Sequence, residues 1–108
     1  CGRACEIAAR EYAENKKKTE ELKKIVMSSF DESGLEYHIN GDKNYCISST
    51  VNICIPGVMS EALMISTKKY CSISNGSACT SKSYSPSYVL SAMGVPENEI
   101  ECSVRIGV

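Results

Sequence analysis

The sequence of 108 residues has no excess of either charge, no long apolar run and only one histidine. Twelve Lys and Arg residues against thirteen Asp and Glu leave a formal net charge of −1. Without a basic field, direct binding to nucleic acid or to an anionic membrane surface is not expected. No stretch approaches the roughly 20 apolar residues of a membrane helix. The N-terminus starts at Cys1 and runs into a charged helical pattern without a signal-peptide segment, so the chain reads as an internal piece of a longer protein. Seven cysteines cannot all pair within one chain, and with no secretory segment the expectation is reduced thiols in the cytoplasm. No C-x-x-C pair is present, Cys1 and Cys5 are four apart, and His38 stands alone, so the spacing makes no zinc site and no metal is expected. Asn75-Gly76-Ser77 matches a glycosylation acceptor but is expected to be unmodified in this context.

What is present is globular: 43% apolar and 23% charged residues, long enough for one two-layer domain. Seventeen of the twenty-five charged residues fall in the first 44 positions, which marks a solvated helix at the front and core and loop behind it. Ala4, Ile7, Ala8 and Tyr12, then Leu22, Ile25, Val26, Ser29 and Phe30, recur at three and four and predict one long helix to about Glu32, ended by Ser33-Gly34. Glu6 with Arg10, Glu14 with Lys18 and Glu20 with Lys24 have the favourable four-residue spacing. The lysines at 16–18 have acidic neighbours and read as a solvated face.

Asn40-Gly41-Asp42 is a turn signal, and Ser49 to Ile55 alternates with Val51, Ile53 and Ile55 on one face, as a half-buried strand does. Pro56-Gly57 stops it, Ser60 is placed to cap a helix running to about Lys69, and Tyr70 to Ser74 reads as a short strand. Ser85 and Pro86 read as the cap and first turn of a short helix that ends at Gly94. Cys102, Val104, Ile106 and Val108 alternate with Ser103, Arg105 and Gly107 in a final strand. The fold class expected is α+β, helices packed on a small, mostly antiparallel sheet.

Cys79 lies off any apolar stripe, in a run of small residues, Ser74-Asn75-Gly76-Ser77-Ala78-Cys79-Thr80-Ser81-Lys82. Such a loop can carry a thiol over a distance, and thiols with polar neighbours are the ones that react, although an ordinary loop cysteine is also compatible with the pattern. Cys46, Cys54, Cys71 and Cys102 sit in or beside strands and read as core filling, while His38, between a helix end and a turn, reads as a surface residue. Ser66-Thr67-Lys68-Lys69 matches S-x-x-K, but the other elements of that enzyme signature are absent.

The segment Ser74 to Ser81, continued by Ser85-Pro86-Ser87-Tyr88-Val89-Leu90-Ser91-Ala92-Met93-Gly94, resembles the active-cysteine segment of the cysteine desulfurases of the iron–sulfur and nitrogen-fixation branch. The resemblance implies a pyridoxal-phosphate enzyme that converts L-cysteine to L-alanine and passes the sulfur, as a persulfide on Cys79, to acceptor proteins. It assigns the nucleophile to Cys79 and, through Cys102-Ser103-Val104-Arg105-Ile106, the grip on the substrate carboxylate to Arg105. Guanidinium suits that role because its planar fork forms two parallel charge-assisted bonds.

The resemblance further implies that residues 1–108 are the C-terminal small domain of a fold-type I enzyme. That enzyme would be a homodimer and α/β as a whole. The lysine that carries the cofactor, adjoining a histidine in the family, is not among these residues, so the cofactor-binding large domain lies outside this chain, and the chain alone is expected to be inactive and cofactor-free. Asn75 stands where the family usually has serine. Two other readings of the same residues are a cofactor-free sulfur carrier that relays a persulfide on Cys79 and a non-enzymatic interaction domain that uses the loop for docking.

Overall fold

The computed structural model describes residues 1–76 and 85–108. Along them run helix α1 (Gly2–Ser33), strands β1 (His38–Ile39) and β2 (Thr50–Cys54), helices α2 (Ser60–Thr67), α3 (Tyr88–Ala92) and α4 (Glu97–Ile100), and strand β3 (Ser103–Gly107). The three strands form an antiparallel sheet in the order β1-β2-β3. The expected α+β class, helices on a small antiparallel sheet, is what forms.

The period of two in β2 and β3 separates the sheet into two faces. Val51, Ile53 and Ile55 form the core cluster, with Met27 and Phe30 of α1, Tyr37, Ile39 and Ile106 packed on it. Ile53 is fully buried and pairs with Val104, itself 1% exposed. The other face is polar and carries His38, Asn52, Cys54, Ser103 and Arg105 by the same alternation.

Helix α1 ends where Gly34 takes a left-handed conformation, φ 70°, that only glycine adopts without strain. Its seam toward the sheet differs from the apolar stripe in the sequence. Thr19 donates to Ser48 Oγ at 2.7 Å, and Lys23 Nζ donates to the carbonyls of Ile47 and Thr50, both at 3.0 Å, while Met27 and Phe30 enter the core. Leu22 and Ile25 of the predicted stripe remain exposed. The reason is that loop 42–49 presents carbonyls and hydroxyls rather than an apolar surface, and a lysine satisfies them. The ion pairs on α1 also differ from the predicted ones: Arg3 with Glu6 and Arg10 with Glu11, both at 2.9 Å.

Ser60 begins α2 rather than capping it, since Met59 holds the cap position without a side-chain bond, and the Ser60 side chain is buried. Helix α2 stops at Thr67, and Ile65 and Tyr70 point to solvent. The predicted strand at 70–74 reduces to one bridge, Ser74 with Arg105. Helix α3 is capped by Ser87, whose Oγ accepts from Leu90 N, rather than by Ser85. It ends before Gly94 at φ 81°. The four-residue α4 and the two-residue β1 were not expected.

Candidate functional site

Arg105 occupies the middle of β3, on the polar face and exposed. On one side it pairs in register with Asn52 of β2. On the other it forms the bridge to Ser74: Arg105 N donates to Ser74 O at 2.6 Å and Ser74 N to Arg105 O at 3.1 Å. The guanidinium reaches back toward the same residue, Nη2 standing 3.5 Å from Ser74 Oγ. Among the described residues no carboxylate pairs with Arg105. It therefore presents a forked cation at the edge of the sheet, where an incoming carboxylate can meet it.

The small-residue segment leaves the sheet from that bridge. Ser74 Oγ accepts from Gly76 N at 3.4 Å and donates to Gly76 O at 2.9 Å, a tight turn directly after the bridge. Asn75 Nδ2 donates to the buried Ser60 Oγ at 3.2 Å, which ties the segment to the start of α2. Ser60 N in turn donates to Glu101 O at 2.9 Å. Cys79 and Lys82 lie outside the described residues; the structure gives the segment's departure at Ser74 to Gly76 and its return at Ser85.

The polar support of Arg105 continues across the sheet. Asn40 Nδ2 donates to Asn52 Oδ1 and to Ser103 Oγ, both at 2.8 Å, and Ser103 Oγ donates to Glu99 O at 2.6 Å. None of the described buried side-chain polar atoms is left unpaired. The same face holds His38, whose Nε2 stands 3.1 Å from Glu99 Oε2, beside the buried Cys54. Burial pushes the Cys54 thiol above its ordinary value of 9.0, a rise that the neighbouring Ser103 hydroxyl opposes. Cys46 and Cys71 are exposed and Cys102 is part-buried, so of the four cysteines expected in the core only Cys54 fills it fully. Cys46 sits instead 3.2 Å from Lys23 Nζ in the 42–49 loop.

The described residues do not fit pyridoxal phosphate. His38, the one histidine, is followed by Ile39 rather than lysine. Lys23 is committed to two backbone carbonyls. The open groove of about 1110 Å³ between α1 and residues 39–52 includes neither Ser74 nor Arg105.

Sequence reading missed Ser74 as the partner of Arg105, Asn75 with Ser60, and His38 with Glu99. Those pairs are separated by 31, 15 and 61 residues. No local spacing announces them; they arise from the way distant segments pack.

Helices flanking a three-stranded antiparallel sheet, with an exposed arginine bridged to the root of a small-residue segment, define an α+β domain that presents a cation beside that segment. No family model matches the chain. Its sequence is 36% identical over 107 residues to the cysteine desulfurase IscS of Rickettsia massiliae (strain Mtu5), covering 99% of this chain and 26% of that protein. It is 35% identical over 107 residues to a cysteine desulfurase of Pongo abelii, covering 99% of this chain and 23% of that one. A solved NifS-like protein superposes with a TM-score of 0.78 at 25% identity, over 98% of this chain and 26% of the other. The chain thus spans about a quarter of the length of the relatives it matches. Over that span the chain is homologous to the cysteine desulfurases it matches.

Proposed function

We propose that this chain supplies the sulfur-accepting thiol and the substrate-carboxylate grip of a cysteine desulfurase, with Cys79 as nucleophile and Arg105 as the grip. The observation that carries this reading is the bridge between Ser74 and Arg105, because it ties the root of the Cys79 segment to the strand that presents the guanidinium. The homology to cysteine desulfurases supports the same reaction.

In this reading Arg105 holds the carboxylate of L-cysteine through two charge-assisted bonds. The Cys79 thiolate attacks the substrate sulfur; an S–S bond forms, the Cβ–S bond breaks with its electron pair left on carbon, and a proton delivered there completes alanine. The stabilisation of charge on that carbon is the chemistry pyridoxal phosphate supplies, and its site belongs to a part of the enzyme outside this chain. The persulfide on Cys79 then passes to a thiol of an acceptor protein. The domain is the C-terminal small domain of a cytoplasmic, homodimeric enzyme and has no turnover by itself.

The test is made in the holoenzyme that contains this chain. Each charge-assisted hydrogen bond is worth about 1.5–3 kcal/mol, so Arg105→Ala lowers kcat/KM for L-cysteine by at least tenfold. Arg105→Lys recovers part of the loss because an ammonium lacks the planar fork. Cys79→Ala abolishes persulfide formation and leaves cofactor binding intact. An unchanged kcat/KM in Arg105→Ala removes the substrate grip from this strand.

A further inference from the structure

The polar face of the sheet holds a second group of side chains that the sulfur-transfer reading does not use. His38 of β1, Cys54 of β2 and Ser103 of β3 stand on one rung of the sheet, and α4 brings Glu99 to it. One ligand atom each from His38, Cys54 and Glu99 lies within 4.8 Å of the other two. Three segments far apart in sequence thus deliver an imidazole, a thiol and a carboxylate to one point.

The chemistry of this set is selective. Imidazole nitrogen, thiolate and carboxylate oxygen are all zinc ligands, and a thiolate in the set disfavours magnesium and calcium. One thiolate and one carboxylate balance the charge of a divalent cation, so the occupied site is neutral, which suits the enclosed sulfur of Cys54. Cys54 is 0% exposed, whereas the side chains of His38 and Glu99 keep 43% and 38% of their exposure. The group therefore opens to solvent on its imidazole and carboxylate side.

The surroundings hold the three in place. Cys54 is fixed by ladder pairing on both flanks. The turn that carries Glu99 is anchored where Ser103 Oγ donates to Glu99 O at 2.6 Å, and Ser103 Oγ accepts from Asn40 Nδ2 at 2.8 Å. Supporting hydrogen bonds of this kind orient metal ligands in known sites. Ligand atoms around tetrahedral zinc stand roughly 3.5 Å apart given bond lengths of about 2.0–2.3 Å. The ligand atoms span up to 4.8 Å, and the two that must draw in, on His38 and Glu99, belong to half-exposed side chains rather than enclosed ones.

We propose that His38, Cys54 and Glu99 form a zinc site, with three protein ligands and a fourth position left to water. On binding, the Cys54 thiol gives its proton to solvent, and the contact between His38 Nε2 and Glu99 Oε2 is replaced by two bonds to the metal. No electron changes hands.

The probe is Co²⁺ followed by Zn²⁺, titrated into the reduced, metal-stripped protein that contains this chain. Co²⁺ is expected to give a thiolate charge-transfer band in the near ultraviolet and tetrahedral bands in the visible, all displaced by Zn²⁺. Cys54→Ser removes the charge-transfer band. His38→Ala and Glu99→Gln, which alter half-exposed side chains and spare the core if Cys54→Ser fails to fold, each weaken binding by at least about tenfold. Cys46→Ser and Cys71→Ser change neither band nor affinity, since both thiols are exposed elsewhere on the fold. No band, a band that survives Cys54→Ser, or affinity unmoved by both His38→Ala and Glu99→Gln overturns the site.

Discussion

Cys54, Cys46 and Cys71 show how one residue type divides by environment. Cys54 is enclosed on the sheet and its thiol is pushed above 9.0 by burial, while Cys46 and Cys71 face solvent. Because the thiolate is the alkylated form, iodoacetamide under native conditions should label Cys46 and Cys71 promptly and Cys54 only on unfolding. The proposed nucleophile Cys79 should likewise label faster than Cys54 and Cys102. Peptide mapping over a time course checks all of these, and prompt labelling of Cys54 would contradict its enclosure. Tyr37 gives a second residue-scale expectation. Its hydroxyl donates to Asp31 at 2.5 Å, and that bond, with desolvation and the negative charge of Asp31 behind it, holds the phenol above 10.0. The folded chain binds this proton more tightly than the unfolded one, so the contribution to stability is present below pH ~10 and is lost as pH rises through the folded value. NMR titration of the Tyr37 ring should show a midpoint above 10.0; Asp31→Asn should bring it down.

The strands and helices differ in how far their sequences announce them. Strand β2 and strand β3 are legible because alternation of β-branched residues with polar ones is itself the half-buried strand, and Ile53→Ala should cost about 2–5 kcal/mol in denaturant unfolding. Helix α3 depends on a cap: with only five residues, loss of the Ser87 hydroxyl in Ser87→Ala should cost about 0.5–2 kcal/mol. Ser85, next to proline, imitates that cap in sequence, whereas the helix begins two residues later behind Ser87. The α1 seam was legible in period but not in phase, because Lys23 faces inward to bond Ile47 O and Thr50 O, a role no hydropathy pattern expresses. Strand β1 has two residues and α4 four, too short for any periodicity, and these two elements bring His38 and Glu99 together.

At the scale of the molecule the sheet separates stability from chemistry. Its apolar face packs against α1, and its polar face carries Arg105, the bridge to Ser74 and the Asn40, Asn52 and Ser103 bonds behind them. Arg105 was legible as a strand residue, and its resemblance to a substrate grip came from the motif around it; the bridge to Ser74 was not, since it joins residues 31 apart. The central claim, that Cys79 accepts sulfur from L-cysteine beside that arginine, is tested most directly by mass mapping of the holoenzyme after a single turnover. The account predicts that the Cys79 peptide gains one sulfur atom, that Cys79→Ala shows none, and that Arg105→Ala reaches the same state only at much higher L-cysteine. Sulfur carried on a different cysteine, with the Cys79 peptide unmodified, would contradict it.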